Sequence, residues 1–393
     1  MTDHVSQRAR SLAESATLAV SAKAAALKAE GVDVVSFGAG EPDFDTPAHI
    51  RQAAKDALDA GHTRYSKPSH GIPPLKEAIC EKFRRDNDLD YAPSQVVVTV
   101  GGKDALYLAF QAILDPGDEV VIPAPYWVSY PEQVKLAGGT SVFVRGDEAN
   151  SFKLTADQIG AALTDRTKVV VLNYPSNPGG FTYTPDEVRA LAEVLCERDL
   201  IVFSDEMYEH LTYGGQEFIS YGAINDKTYA HTVTFNAGSK TYAMTGWRIG
   251  YAAGPEPIIK GMAKIQSQDT SGATTFCQHA LAAALSGDQG CVEEMRQEFE
   301  RRADHMYQRL NALPGVSCVR PTGAFYAFPN VSGTYAKLGV SGSIEFAAKA
   351  LDEVHVAVVP GEPFGCDQNV RLSFAASMAQ IDKGLDRLAK FVG

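Results

Sequence analysis

Cysteine is scarce and unpatterned in this 393-residue chain: six residues, at 80, 196, 277, 291, 318 and 366, form no C-x-x-C pair and no Cys/His group at zinc spacing. Nothing therefore indicates a disulfide framework or a metal site, and buried thiols in a reducing compartment are expected. Long apolar runs are missing too. No stretch approaches the roughly 20 apolar residues needed to span a bilayer, and the opening MTDHVSQRARSLAES lacks the unbroken apolar core of a signal peptide. The expectation is a cytoplasmic protein without a membrane partner. Positive charge is in short supply, with 36 basic against 48 acidic residues and a net charge of −12. That balance argues against a broad footprint for nucleic acid or an anionic membrane, so any anion must be held by a local site. Internal repeats, low-complexity tracts and long Pro/Ser linkers are also absent, which favours domains that meet over a broad contact and share a cleft.

What is present is an ordinary globular composition, 45% apolar and 21% charged. At roughly 150 residues per domain the length suggests two or three packing units. Residues 12–30 read as an amphipathic helix before the extended VVSFGAG at 34–40. Thr46 followed by Pro47 reads as an N-cap and first-turn proline of a helix that Gly61 stops, and a second helix is expected from about Pro73 to Asn87. From Gln95 onward, short β-branched runs (QVVVT, EVVI, TSVFV, KVVVL, LIVFSDE) alternate with helical segments, the pattern of a parallel sheet. Those runs are apolar on both faces, as helix-covered strands should be. Thr184 and Glu187 form a capping box with Pro185 in the first turn. Residues 288–312 read as a long charged helix, and the remainder mixes short strands (AFYAF, VAVV, VRLSF) with two helices, suggesting a smaller α+β domain.

Ligands of open α/β sheets gather beyond the carboxyl ends of the strands, so the residues just after each strand are the ones to question. Gly101-Gly102-Lys103 follows VVVTV and opens a helix, where glycines let backbone N–H groups approach a phosphate; a plain tight turn is the alternative. The GAG at 38–40 does not complete a dinucleotide fingerprint, which disfavours an NAD-dependent dehydrogenase. Asp205 ends a buried run with Tyr208 three residues on; it either caps a helix or pairs with a cation such as a protonated heterocyclic nitrogen. Lys240 lies among Gly238, Ser239 and Thr241, with Arg248 eight residues later. A lysine nucleophile must lose a proton that it ordinarily holds up to a pH of about 10.4, and burial or a neighbouring cation lowers that value. Arg371, in NVRLSF, shares a strand face with Ser373, and that face meets either solvent or a cleft in which the guanidinium would grip a carboxylate. Asn177, before Pro178-Gly179-Gly180, and Trp127, in APYWVSY, are further candidates for the same cleft.

Taken in order, GAGEPDFDTP, TRYSKPSHGIPPLKEAI, VGGKDAL, PYWVSYP, NYPSNPGG, SDEMYEHL, SKTYAMTGWRIGY and VRLSFA closely resemble the class I aminotransferases of the aspartate aminotransferase family, from about residue 10 to the C-terminus. The resemblance implies the fold type I of pyridoxal-phosphate enzymes: an α/β large domain (46–287) with a mostly parallel seven-stranded sheet, and a smaller α+β domain built from the N-terminal segment (1–45) and residues 288–393. It implies pyridoxal 5′-phosphate as cofactor, joined to Lys240, which also shuttles the substrate proton. Asp205 would pair with the ring nitrogen, Tyr208 and Asn177 with the ring hydroxyl, and Trp127 would stack on the ring. Gly102, Lys103, Ser239, Arg248 and, from a second subunit of a homodimer, Tyr65 would hold the phosphate. Arg371, Asn177 and the backbone of Gly40 would hold the substrate α-carboxylate.

The implied activity is ping-pong transfer of an amino group from an L-amino acid, aspartate first, to 2-oxoglutarate. Aromatic amino acids or prephenate are alternative donors, and a β-lyase on the same scaffold is an alternative reaction. Two departures stand out. Gly179 replaces the threonine common in this turn and is expected to relax it. SQDTSGATTF carries Asp269 and no arginine where some dicarboxylate-specific relatives supply one from the partner subunit.

Overall fold

The computed structural model describes residues 4–393; residues 1–3 of the expected N-terminal segment lie outside the described residues. Twelve strands occur in chain order. They are β1 (Val35–Ser36), β2 (Val96–Thr99), β3 (Glu119–Ala124), β4 (Thr140–Arg145), β5 (Thr167–Asn173) and β6 (Ile201–Asp205), then β7 (Thr232–Ala237), β8 (Gly250–Ala253), β9 (Tyr326–Ala327), β10 (Val356–Ala357), β11 (Val359–Pro360) and β12 (Val370–Ser373). Seven of them make one sheet of order β2-β8-β7-β6-β5-β3-β4. Every neighbouring pair in it is parallel except the two made by β8.

Alternation with both faces apolar explains why this sheet is sandwiched. Val169, Val171 and Phe203 pack with Leu106 of helix Gly102–Ile113 and Met262 of helix Glu256–Asp269. Val170, Leu172 and Val202 point the other way, onto Val188, Leu191 and Leu195 of helix Pro185–Leu195. Phe203 is completely buried, and truncating such a side chain to alanine costs about 3–5 kcal/mol. The edge strand β4 departs from the expected two-sided burial: none of its six residues is buried, and Thr140, Phe143 and Arg145 are exposed at an edge that no further strand covers.

The capping box of helix Pro185–Leu195 forms as expected, with Thr184 N–H donating to Glu187 Oε2 at 2.7 Å and Glu187 N–H donating to Thr184 Oγ1 at 3.3 Å. Helix Pro73–Asn87 matches its expected bounds. The helix of residues 48–59, by contrast, is capped by Pro47 and not by Thr46. The Thr46 hydroxyl is engaged by distant groups: it donates to the Ala243 carbonyl at 2.6 Å and accepts from Trp247 Nε1 at 3.0 Å.

The remaining strands form two small sheets. β1 pairs in parallel with β10, and β12 runs antiparallel between β11 and β9. Residues near position 35 thereby share a core with the last hundred residues, around Phe37, Phe299, Phe325 and Phe374. Helix Met378–Val392 closes that core with Ile381, Leu385, Leu388 and Val392, one face at helical spacing. Among the described residues no helix is long and apolar enough to cross a membrane.

Candidate active site

The strand directions gather the chemistry on one rim of the large sheet. β2, β3, β5, β6 and β7 end on that rim, which places Gly102, Trp127, Asn177, Asp205 and Lys240 just beyond their carboxyl ends. β8 runs the opposite way, with Gly250 beside Thr99 and Ala237, so its start lies on the same rim and brings Arg248 to it. Arg371 and Tyr326 arrive from the small sheet. Together these residues line a cavity of about 620 Å³, which also takes in Gly40, Lys103, Ser239 and Tyr208. Of the residues expected from the sequence, Tyr65 alone stands apart: it is 82% exposed and does not line the cavity.

Glycine sets the shape of one end. Gly101 has φ +83°, and a Cβ there would come within 2.6 Å of Arg248 Nη2. A Cβ on Gly250 would lie 2.5 Å from the Gly102 nitrogen. The backbone thus approaches closely because these positions carry no side chain. The first N–H groups of helix Gly102–Ile113 have no partner within the helix; Lys103 lies in its first turn, Arg248 sits against Gly101, and Ser239 lines the same cavity. Arg248 Nη1 is held by the Thr245 carbonyl at 2.7 Å. The Lys103 amine lies 5.0 Å from the Trp127 ring centre. Loss of water and then the Arg248 charge lower the pKa of Lys103.

Asp205 is 4% exposed. Its Oδ2 accepts from the Tyr130 hydroxyl at 2.5 Å, and its Oδ1 accepts from the Met207 N–H at 3.3 Å. Burial raises its pKa from 3.8 to about 6 against the pull of those hydrogen bonds and of Lys240. It caps no helix: the residue lines the cavity, and among the described residues no cation is bonded to its carboxylate. Lys240 is half-buried, and its amine donates to the Gly40 carbonyl. Its pKa falls to about 8. Burial dominates; Arg371 and then Arg248 lower the value further, while Glu41 and Asp205 raise it. The Gly40 carbonyl is therefore occupied by Lys240, which leaves that residue's N–H as its donor to a ligand.

Arg371 is 1% exposed. Its Nη1 donates to Asn177 Oδ1 at 2.9 Å and its Nη2 to the Gly38 carbonyl at 3.2 Å, while Nε has no partner. The guanidinium lies 4.5 Å from the Tyr326 ring centre, and among the described residues no carboxylate pairs with it. Burial lowers its pKa. Tyr208 meets Tyr326 hydroxyl to hydroxyl at 3.0 Å. Tyr130, Tyr326, Gly38 and Asn173, whose Oδ1 accepts from the Asn177 N–H at 2.9 Å, were not singled out from the sequence. Tyr130 lies in PYWVSYP, and Tyr326 in AFYAF, a pattern that signals a strand and nothing more.

The Phe181 ring occupies the space where a side chain at Gly179 would sit, 2.5 Å from a Cβ there. The turn is not relaxed but tied down, with Gly180 N–H on the Ser176 carbonyl at 3.0 Å and Ser176 N–H on the Phe181 carbonyl at 2.8 Å.

The rim brings an amine, a buried carboxylate and a glycine-lined helix start to one cavity, on the seven-stranded α/β sheet of fold type I. Residues 32–388 match the family model for aminotransferase class I and II, and the chain belongs to that family. It is 52% identical over 388 residues to the aspartate aminotransferase of Geobacillus stearothermophilus, covering 99% of this chain and 98% of that one. It is 49% identical to the aspartate/prephenate aminotransferase of Cereibacter sphaeroides, covering 96% of each. Among solved structures, aspartate aminotransferase from Thermus thermophilus with maleate superimposes with a TM-score of 0.94 at 44% identity, covering 99% of this chain and all of that one.

Proposed function

We propose that the chain transfers the amino group of L-aspartate to 2-oxoglutarate, with pyridoxal 5′-phosphate as cofactor and the two substrates bound in turn. One observation carries this reading. In a protein of net charge −12, the cavity is lined by five cations (Lys28, Lys103, Lys240, Arg248, Arg371) against two carboxylates (Glu41, Asp205). Such a site favours a phosphorylated cofactor and dicarboxylic substrates. The relatives named above, one of them solved with the dicarboxylate maleate, support the same choice.

The residues fit the cofactor. The glycine-lined helix start with Ser239, Lys103 and Arg248 suits its phosphate, the buried Asp205 lacks the cation that a protonated ring nitrogen provides, and Trp127 offers a flat wall. When bound, pyridoxal phosphate supplies an aldehyde that exchanges with amines and a ring that accepts an electron pair. The protein supplies the rest. Lys240, its pKa near 8, has a neutral fraction at neutral pH that would bond to the carbonyl carbon and, once displaced from it by the substrate amine, would take the proton from the substrate Cα. Asp205 would hold a proton on the ring nitrogen, and Tyr130 holds Asp205. Tyr208 and Asn177, both lining the cavity, would hydrogen-bond the ring hydroxyl. Arg371, steadied by Asn177 and Gly38, turns its remaining N–H groups to the substrate α-carboxylate, with the N–H of Gly40 beside it.

A homodimer belongs to this proposal, because Tyr65 is exposed here and would reach the phosphate only from a second copy. So do a cytoplasmic setting and the division into 1–45 with 288–393, and 46–287, as the bodies flanking the cleft. Prephenate is the second donor to test, since a relative carries that name. The test is an absorbance scan of protein loaded with pyridoxal phosphate, followed by a panel of amino donors with 2-oxoglutarate. A visible band removed by borohydride and missing in Lys240→Ala, with aspartate the fastest donor, is expected. A colourless protein, or ammonia and pyruvate as products, overturns the proposal.

A further inference from the structure

Behind the rim, on the side of β6 turned away from the cavity, lies a buried polar cluster that the chemistry above does not use. Asp205 and Tyr208 face the cavity; Glu206 and Glu209, one position on from each, do not line it. Glu206 and Glu209 are 0% and 5% exposed, and Lys82, from helix Pro73–Asn87, is 1% exposed. We infer that Lys82, Asn87, Glu206, Glu209 and Asn236 form a positioning device that fixes Asp205 and Lys240 relative to each other; the inference rests on the function proposed above.

The connections run to both strand ends. Lys82 pairs with Glu209 and donates to Asn87 Oδ1 at 2.5 Å. Asn87 Nδ2 donates to Glu209 Oε2 at 2.6 Å and to Glu206 Oε2 at 3.1 Å. Ser204 and Ser220 donate to the two oxygens of Glu206 at 2.7 and 2.6 Å, which pins the residue after Asp205. Asn236 carries the link across to β7. Its Nδ2 donates to Glu209 Oε1 at 2.6 Å and to the Glu206 carbonyl at 3.2 Å, while its Oδ1 accepts the N–H of Ala237 at 2.7 Å. Lys240 follows three residues later. On the outer side His210 Nε2 lies 3.4 Å from Glu209 Oε1 and 3.6 Å from Asp86 Oδ2.

The charge pattern agrees with a device that must stay closed. Burial and Glu209 raise the Glu206 pKa to about 7. Burial opposes ionisation of Glu209 too, yet Lys82, His210 and the Asn87 hydrogen bond hold its pKa below the ordinary value. A satisfied buried network of this kind rigidifies what it joins, and one broken member leaves a charge unpaired. Small misplacements of reacting groups slow chemistry more than they weaken binding.

The test uses the enzyme loaded with pyridoxal phosphate and three proteins. Asn236→Ala cuts the link to β7, the double variant Lys82→Met/Glu209→Gln removes the ion pair without leaving a lone charge, and Tyr183→Phe deletes a buried hydrogen bond away from the cavity as control. Measured are the thermal midpoint, the pH midpoint of the visible band, the Kd of pyridoxal phosphate for the apoenzyme, and kcat and KM for aspartate. In both cluster variants the pH midpoint should move by about half a unit or more. Their kcat should fall ~10-fold with KM within about twofold, and the control should change only thermal stability. If the double variant does not fold, Ser220→Ala, which takes one hydrogen bond from Glu206, should show the same shift in smaller measure. Cluster variants that lose thermal stability yet keep the parent band and kcat overturn the inference alone. Absence of the band in the unmodified protein overturns the proposed function and this inference with it.

Discussion

Replacing Arg371 by leucine tests the site where its electrostatics are most exposed to contradiction. The guanidinium is buried, gives two of its five N–H groups to Asn177 and Gly38, leaves Nε with no partner, and has no carboxylate beside it among the described residues. A substrate carboxylate would complete it with two charge-assisted hydrogen bonds, each about 1.5–3 kcal/mol. Losing them should cost ~3–5 kcal/mol in transition-state binding, or between about a hundred and several thousand in kcat/KM for aspartate. The free protein should respond differently. Leucine removes a buried charge that lacks a counter-charge, which offsets the lost contact with the Tyr326 ring and the hydrogen bonds to Asn177 and Gly38. Its Tm is therefore expected within a few degrees of the parent. Arg371→Lys, which keeps the charge and loses the fork, should fall between. Initial-rate kinetics with aspartate, alongside a simple amine lacking a carboxylate, separate the effects, since the simple amine should react equally well with parent and variant. A loss of kcat/KM below tenfold for aspartate, or an equal loss for the simple amine, refutes the assignment.

Lys240 makes stability depend on pH in the apoenzyme. Its folded pKa of about 8 lies below the unfolded 10.5, so between those values the unfolded chain holds a proton that the folded chain lacks, and stability rises with pH. The gain is up to ~3 kcal/mol across the window, and Lys240→Met should flatten it in urea titrations; a parent profile that falls over the same range contradicts this. Gly101→Ala puts a Cβ at 2.6 Å from Arg248 in a left-handed backbone, and should weaken retention of pyridoxal phosphate ~10-fold or more by displacing that arginine, read by equilibrium dialysis. Tyr65→Phe should weaken the same retention ~10-fold through a second subunit, and full activity from a monomer at assay concentration would be the contrary result.

Strand ends were legible because their cause is local. KVVVL and LIVFSDE announce buried parallel strands by composition alone, and Asn177 and Asp205 follow from where those runs stop. Partners that cross the chain were not. Thr46 looks like a helix cap, but its hydroxyl serves Ala243 and Trp247, some two hundred residues away. Tyr130 becomes a support for Asp205 only once β3 and β6 share a rim, and Gly179 is explained only by where the Phe181 ring falls. The direction of β8 is the sharpest instance. The four residues of β8, GYAA, carry nothing that fixes which way the strand runs, and at about 3.3 Å per residue they span ~13 Å. Run parallel to its neighbours, that strand would begin on the opposite rim, and Arg248 would lie a full strand length from Gly101 and Lys240. Reversed, it delivers the arginine to the helix start that Gly101 and Gly250 leave open, so strand direction decides whether this residue can hold an anion.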